Sequence, residues 1–97
     1  MFSLLKRWIG SSRRPRADLH FVVYTRTNCH LCTRAWDLLT AYQQRRGFAL
    51  TKTDVDTVPE LALRFGDCVP VVLVNGEVRF RGQVNEVLLR RILDAAG

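Results

Sequence analysis

The sequence predicts one α/β domain in the order β-α-β-α-β-β-α: a mixed four-stranded sheet with helices on both faces. Three observations carry this. A short β-branched and aromatic run, His20–Thr25, passes directly into a helix-period segment and then into a second strand-like run, Phe48–Thr53. Such a βαβ unit requires a parallel pair with a right-handed crossover. The second half holds V-P-V-V-L-V (Val69–Val74), the turn dipeptide Asn75-Gly76 and the run Glu77–Arg81, which together read as an antiparallel hairpin.

Each element has its own signals. In the first helix, beginning near Cys29, Leu31, Ala35, Leu38, Leu39 and Tyr42 fall on one face at three- and four-residue spacing. Thr27 or Asn28 is placed to cap its start. Arg45 and Arg46 suit the dipole of its last turn, and Gly47 supplies the stop. Thr57-Val58-Pro59-Glu60 has the pattern of a capping box with proline in the first turn, opening a short helix that ends at Gly66. Val84, Val87, Leu88, Ile92 and Ala95 form the apolar stripe of a closing helix.

Ninety-seven residues leave room for a single domain. The formal charge of +6 is unevenly spread: residues 1–17 carry five Arg/Lys and no acid, whereas residues 18–97 carry ten against nine Asp/Glu. The near-neutral body lacks the clustered basic face of a nucleic-acid binder, so no nucleic-acid partner is expected. Residues 1–17 thus read as a basic leader and 18–97 as the domain. Phe2, Leu4, Leu5, Trp8 and Ile9, interleaved with Lys6 and Arg7, give the leader an amphipathic character. It reads either as a tail frayed or packed on its own domain, or as a weak membrane-surface contact. No stretch approaches the roughly 20 apolar residues that span a bilayer. No secretory signal pattern precedes the domain, and three cysteines are too few for a disulfide framework. A cytoplasmic, reducing setting and a monomer are the expectation.

The chemistry centres on Cys29-His30-Leu31-Cys32, where the first strand hands over to the first helix. Unpaired N–H groups and the positive dipole end stabilise a thiolate at a helix N-terminus. Cysteines so placed have pKa values lowered from about 8.5 to roughly 3.5–7.5. Cys32 lies about one turn on, where its thiol can resolve a mixed disulfide formed at Cys29. Arg26, three residues before Cys29, can add a second positive field. Zinc is the competing reading, with Cys68, His20 or His30 completing the site, but no second short-spaced ligand motif occurs. Two inert cysteines at a helix start are a further alternative. Val69-Pro70 is the second signal, because proline at the start of a buried strand needs a reason. A cis bond there would leave the Val69 backbone free to pair with an extended peptide or with glutathione.

This order of elements is a thioredoxin-type architecture. From about His20 to Gly97, 78 of the 97 residues, the chain resembles the glutaredoxin family, and within it the short bacterial glutaredoxin-like proteins with a C-H-L-C site. The resemblance rests on Tyr24-Thr25-Arg26-Thr27-Asn28-Cys29-His30-Leu31-Cys32, on Val69-Pro70, and on the Asn75-Gly76 hairpin followed by Gly82. It implies Cys29 as nucleophile, Cys32 as resolving cysteine, Pro70 as the cis-proline and Arg26 as the basic residue before the active site. Arg26, His30, Leu31, Val69, Pro70 and Gly82 are the expected substrate-binding residues, with no bound cofactor or metal. Two departures stand out. His30-Leu31 replaces the family's usual Pro-Tyr, and Gly82-Gln83-Val84-Asn85 stands where the family has a Gly-Gly followed by an Asp that holds the γ-glutamyl end of glutathione. Asn85 can instead cap the last helix. Cys68 falls on the rim of the site as a small semi-buried side chain, an extra disulfide partner or a metal or cluster ligand.

The function expected is thiol–disulfide exchange on disulfide-containing or glutathionylated proteins. Glutathione would be a co-substrate and electron donor, or a thioredoxin-reductase-like enzyme would supply the electrons. The alternatives are a non-catalytic iron–sulfur or metal carrier using Cys29 with Cys32 or Cys68, and a thioredoxin-fold adaptor whose leader binds a partner.

Overall fold

The structure is a computed structural model, and it describes residues 15–95. Most of the leader, with its amphipathic residues, therefore lies outside the described residues. The elements are β1 (His20–Thr25), α1 (His30–Arg46), β2 (Ala49–Asp54), a single 3₁₀ turn (Val55–Thr57), α2 (Pro59–Phe65), β3 (Val71–Val74), β4 (Glu77–Arg81) and α3 (Glu86–Asp94). The sheet order is β2-β1-β3-β4. β1 runs parallel to β2 and antiparallel to β3, which pairs antiparallel with β4 through a hairpin carrying a bulge between Val72 and Leu73. This is the expected thioredoxin-like α/β fold.

Strand alternation divides the core into two layers. Phe21 and Val23 on β1, Val72 and Val74 on β3 and Phe80 on β4 share one face with Leu39 and Tyr42 of α1 and Leu89 and Leu93 of α3. Phe48, just ahead of β2, stacks its ring 4.3 Å from that of Phe21. On the opposite face Tyr24, paired in register with Val71, meets Phe65 at the end of α2, with ring centroids 5.2 Å apart. No helix among the described residues is long and apolar enough to cross a membrane.

Several local expectations shift. The buried stripe of α1 is Cys32, Ala35, Leu39, Tyr42 and Arg46, while Leu31 is exposed. Neither Thr27 nor Asn28 caps α1; Cys29 does. The expected capping box does not form, because the hydroxyl of Thr57 donates to the carbonyl of Asp54 and Val58 occupies the N-cap of α2. In α3 the fully buried residues are Leu89 and Leu93, leaving Val87 and Leu88 exposed. Asn85 caps that helix, accepting from the N–H of Leu88 at 3.0 Å.

Arg16 belongs to the packed body, although its charge groups it with the leader. It is buried, its backbone N–H donates to the carbonyl of Arg46, and its Nη1 donates to the carbonyls of Ile92, Leu93 and Ala95 at 2.7–3.1 Å. The packed domain therefore begins before residue 18, the boundary expected from charge.

Candidate active site

β1 ends at Thr25, and the four residues that follow turn the chain into α1. Asn28 takes a left-handed conformation at φ 60°, which Asn tolerates better than most residues. Cys29 then adopts an extended conformation as the N-cap, and its Sγ accepts a hydrogen bond from the N–H of Cys32 at 3.1 Å. The Cys29 carbonyl accepts from the N–H of Thr33, so the first turn closes around the cysteine. Cys29 and Cys32 are joined as a disulfide, with Cα atoms 5.2 Å apart. The pair is asymmetric: Cys29 is half-buried, whereas Cys32 is buried at 4% exposure.

The Val69–Pro70 peptide bond is cis, and Pro70 is buried. It leads into β3, whose first residue, Val71, pairs with Tyr24 near the end of β1 and with Arg81 at the end of β4. The register therefore gathers the Cys29 loop, Val69-Pro70 and Gly82 at one end of the sheet. Gly82 has φ 83°, a conformation that favours glycine, and its N–H donates to the carbonyls of Cys68 and Pro70 at 3.1 and 2.8 Å. Gly82 thus fastens the segment carrying Val69, whose own backbone groups stand outside the strand pairing.

An open cleft of about 550 Å³ lies against the disulfide, lined by Cys29, Cys32, Arg26 and His30 with Trp36 and Lys52. Arg26 reaches the cleft wall, but its guanidinium is already paired. It binds Asp56 through Nε and Nη2 at 2.9–3.3 Å and donates from Nη1 to the carbonyl of Gly66 at 2.9 Å. The field expected from a free Arg26 is therefore the weaker field of an ion pair. That pair holds the Asp56 carboxyl below its ordinary range, chiefly through the hydrogen bond from Arg26. Leu31 stands apart from the cleft, in a separate groove with Arg34, Leu38, Gln83 and Val84.

Cys68 is a half-exposed free thiol. Among the described residues, no group of three or more His, Cys, Asp and Glu side chains is placed to hold a metal ion. Trp36 and Lys52 were not foreseen as site residues. Trp36 could have been found from its spacing, four residues and one helical turn beyond Cys32. Lys52 comes from β2, and only the tertiary fold brings it to the cleft.

A strand-to-helix disulfide pair and a cis-proline at the same sheet end define a thioredoxin-fold CxxC protein. Residues 20–94 match the family model described as Glutaredoxin-like domain (DUF836), and the chain belongs to that family. Among curated proteins it is 34% identical over 82 residues to Rv0508 of Mycobacterium tuberculosis, spanning 79% of this chain and 80% of that one. Among solved structures it is similar to target protein XcR50 from X. campestris, with 32% identity, a TM-score of 0.63 and coverage of 79% and 99% of the two chains. Protein Ne2328 from Nitrosomonas europaea aligns with a TM-score of 0.67 at 24% identity, covering 76% of this chain and 89% of that one. A mutant thioredoxin from Halobacterium salinarum shares the fold with a TM-score of 0.61 at 22% identity, covering 79% and 73%.

Proposed function

We propose that the chain is a thiol–disulfide oxidoreductase of glutaredoxin type, acting in a reducing, cytoplasmic setting. The observation that supports this most directly is the N–H of Cys32 directed at Cys29 Sγ, on a half-buried cysteine whose disulfide partner is buried. An N–H donor at a helix start favours the thiolate over the thiol.

In the reduced form, Cys29 attacks one sulfur of a substrate disulfide or of a glutathionylated cysteine. A bond forms between Cys29 and that sulfur, and the other substrate sulfur leaves as a thiolate that takes up a proton. Cys32 then loses its proton and attacks Cys29 Sγ. The mixed disulfide breaks, the second substrate thiol is released, and Cys29–Cys32 is left oxidised. Two electrons and two protons pass to the substrate. Two molecules of glutathione, or a thioredoxin-reductase-like enzyme, return them. Val69 offers its backbone to the substrate, Pro70 and Gly82 hold that segment, and His30 and Leu31 form the surface on either flank.

The test is alkylation of Cys29 against pH in wild type and Cys32→Ser, with equilibration of wild type in glutathione buffers of known ratio. The expected result is a Cys29 pKa below about 7.5 and a reversible Cys29–Cys32 disulfide. Cys32→Ser should accumulate a mixed disulfide at Cys29, and Cys29→Ser should lose exchange altogether. A Cys29 pKa near the ordinary value of about 8.5, with no internal disulfide, would overturn the reading.

A further inference from the structure

The cleft beside the disulfide has a wall that the exchange steps above leave unused. Lys52 pairs with Val23 across β1 and β2, so its side chain leaves the sheet on the face covered by α1. There its ammonium rests on the indole of Trp36, 4.4 Å from the ring centroid. An aromatic face attracts and orients a cation at this distance. Among the described residues Lys52 joins no ion pair, whereas Arg26 is bound to Asp56. Among the described residues, no carboxylate lines the cleft. The result is a positive charge on an aromatic seat, in a concavity that also exposes the disulfide.

We propose that Lys52, seated on Trp36, forms a subsite for the carboxylate of a small anionic thiol that exchanges with the Cys29–Cys32 disulfide. The inference rests on the oxidoreductase reading and names the residue that selects its reductant. The cleft, at about 550 Å³, falls in the range that holds small molecules. It suits a thiol of tripeptide size and is too small for a folded partner. β2 and β3 also flank β1 on opposite sides. The Lys52 subsite and the Val69–Pro70–Gly82 segment therefore lie on opposite sides of the loop that carries Cys29. A small thiol can enter on one side while the other is left for a protein chain.

The bound thiolate attacks Cys29 Sγ, the Cys29–Cys32 bond breaks, and Cys32 leaves as a thiolate that takes up a proton. A second molecule of the same thiol attacks its counterpart in the mixed disulfide and releases Cys29. Two small thiols are oxidised to one disulfide, and the protein pair is reduced. Lys52 touches none of the reacting sulfurs; it selects the thiol by its charge.

The experiment measures second-order rates of reduction of the oxidised protein by glutathione, 2-mercaptoethanol and cysteamine, which are anionic, neutral and cationic. The comparison is made at equal thiolate concentration in wild type, Lys52→Gln and Lys52→Glu. Lys52 is exposed, so both variants should fold, and matching thermal melts check this. Lys52→Gln should slow glutathione about fivefold, the size of one charge contact in water, and leave 2-mercaptoethanol unchanged. Lys52→Glu should slow glutathione further and speed cysteamine, and high salt should erase both differences. Equal effects on all three thiols, or no effect, would overturn the subsite while leaving the oxidoreductase reading intact. Failure of every thiol to reduce the wild-type disulfide would overturn both.

Discussion

Arg26 and Asp56, thirty residues apart in the chain, meet in a two-pronged ion pair with N–O distances of 2.9–3.3 Å. The pair ties the loop before Cys29 to the 3₁₀ turn after β2, and the same guanidinium also donates to the carbonyl of Gly66. Asp56→Asn isolates the pair, because it leaves the bond to Gly66 in place. The Asp56 carboxyl titrates below its ordinary value of 3.8 in the folded chain, with the hydrogen bond from Arg26 as the main cause. A depressed folded pKa adds stability that is present above the unfolded pKa and lost as pH falls through the folded one. The urea midpoint of Asp56→Asn should therefore lie below that of wild type at pH 7, with the two converging below about pH 4. A gap that stayed constant from pH 7 to pH 3 would show that the carboxylate charge contributes nothing.

Gly66 sits where a side chain has no room. A Cβ there would lie 2.5 Å from the carbonyl oxygen of Ala62 and 3.0 Å from Nη2 of Arg26. Its backbone is right-handed, with φ −55°. On conformational grounds alone, alanine would stabilise such a position by about 0.4–1 kcal/mol. Crowding should reverse that sign, and Gly66→Ala should cost about 1–3 kcal/mol in urea unfolding. Stabilisation instead would mean that Arg26 and the α2 terminus move aside freely.

The element order was readable because the hydrophobic period changes cleanly between strands and helices, and because Gly47, Gly66 and Asn75-Gly76 punctuate it. Asn75 adopts φ 51° and its side chain accepts from the N–H of His20, so the turn signal had a physical basis. Helix faces were less readable. Val87, Leu88, Leu89, Ile92 and Leu93 contain two competing apolar stripes, and only packing against the sheet settles on Leu89 and Leu93. At α1, cysteine is an unusual cap, so the helix begins one residue later than an Asn28 cap, and two later than a Thr27 cap, would give. Within the site, the CxxC at a strand-to-helix junction was legible as a local pattern, whereas Pro70 as a cis-proline followed from its place relative to that pair and from the family resemblance. The engagement of Arg26 by Asp56 and the seat of Lys52 on Trp36 were not, because each joins separate elements that only tertiary packing brings together.

Arg16 closes the C-terminal turn of α3. Helix C-termini leave carbonyls without intrahelical partners, and here one guanidinium nitrogen serves those of Ile92, Leu93 and Ala95. Arg46 also donates to the Leu93 carbonyl, at 2.6 Å. Arg16→Ala should lower stability by about 1.5–3 kcal/mol, the range for lost hydrogen bonds to a charged group. Arg16→Lys should recover only part of this, because an ammonium cannot reproduce the fork that also grips Asp18. Equal stability of the alanine variant and wild type in urea unfolding would remove Arg16 from the packed domain.

Tyr42 on α1 donates its phenolic hydrogen to Glu86 at the start of α3, with an O–O distance of 2.6 Å. Burial raises the Tyr42 pKa above its ordinary value of 10.0, and the bond to Glu86 raises it further. A raised folded pKa adds stability that is full below the unfolded pKa and lost as pH rises through the folded one. Tyr42→Phe keeps the ring in the core and removes both the hydrogen bond and the titration. At pH 7 it should cost about 1 kcal/mol. Above pH 10 the wild-type advantage should shrink, because only wild type must keep a phenol protonated in order to stay folded. Urea unfolding of both proteins at intervals from pH 7 to pH 11 measures this directly. Parallel profiles across that range would mean that the contact between α1 and α3 depends on ring packing alone.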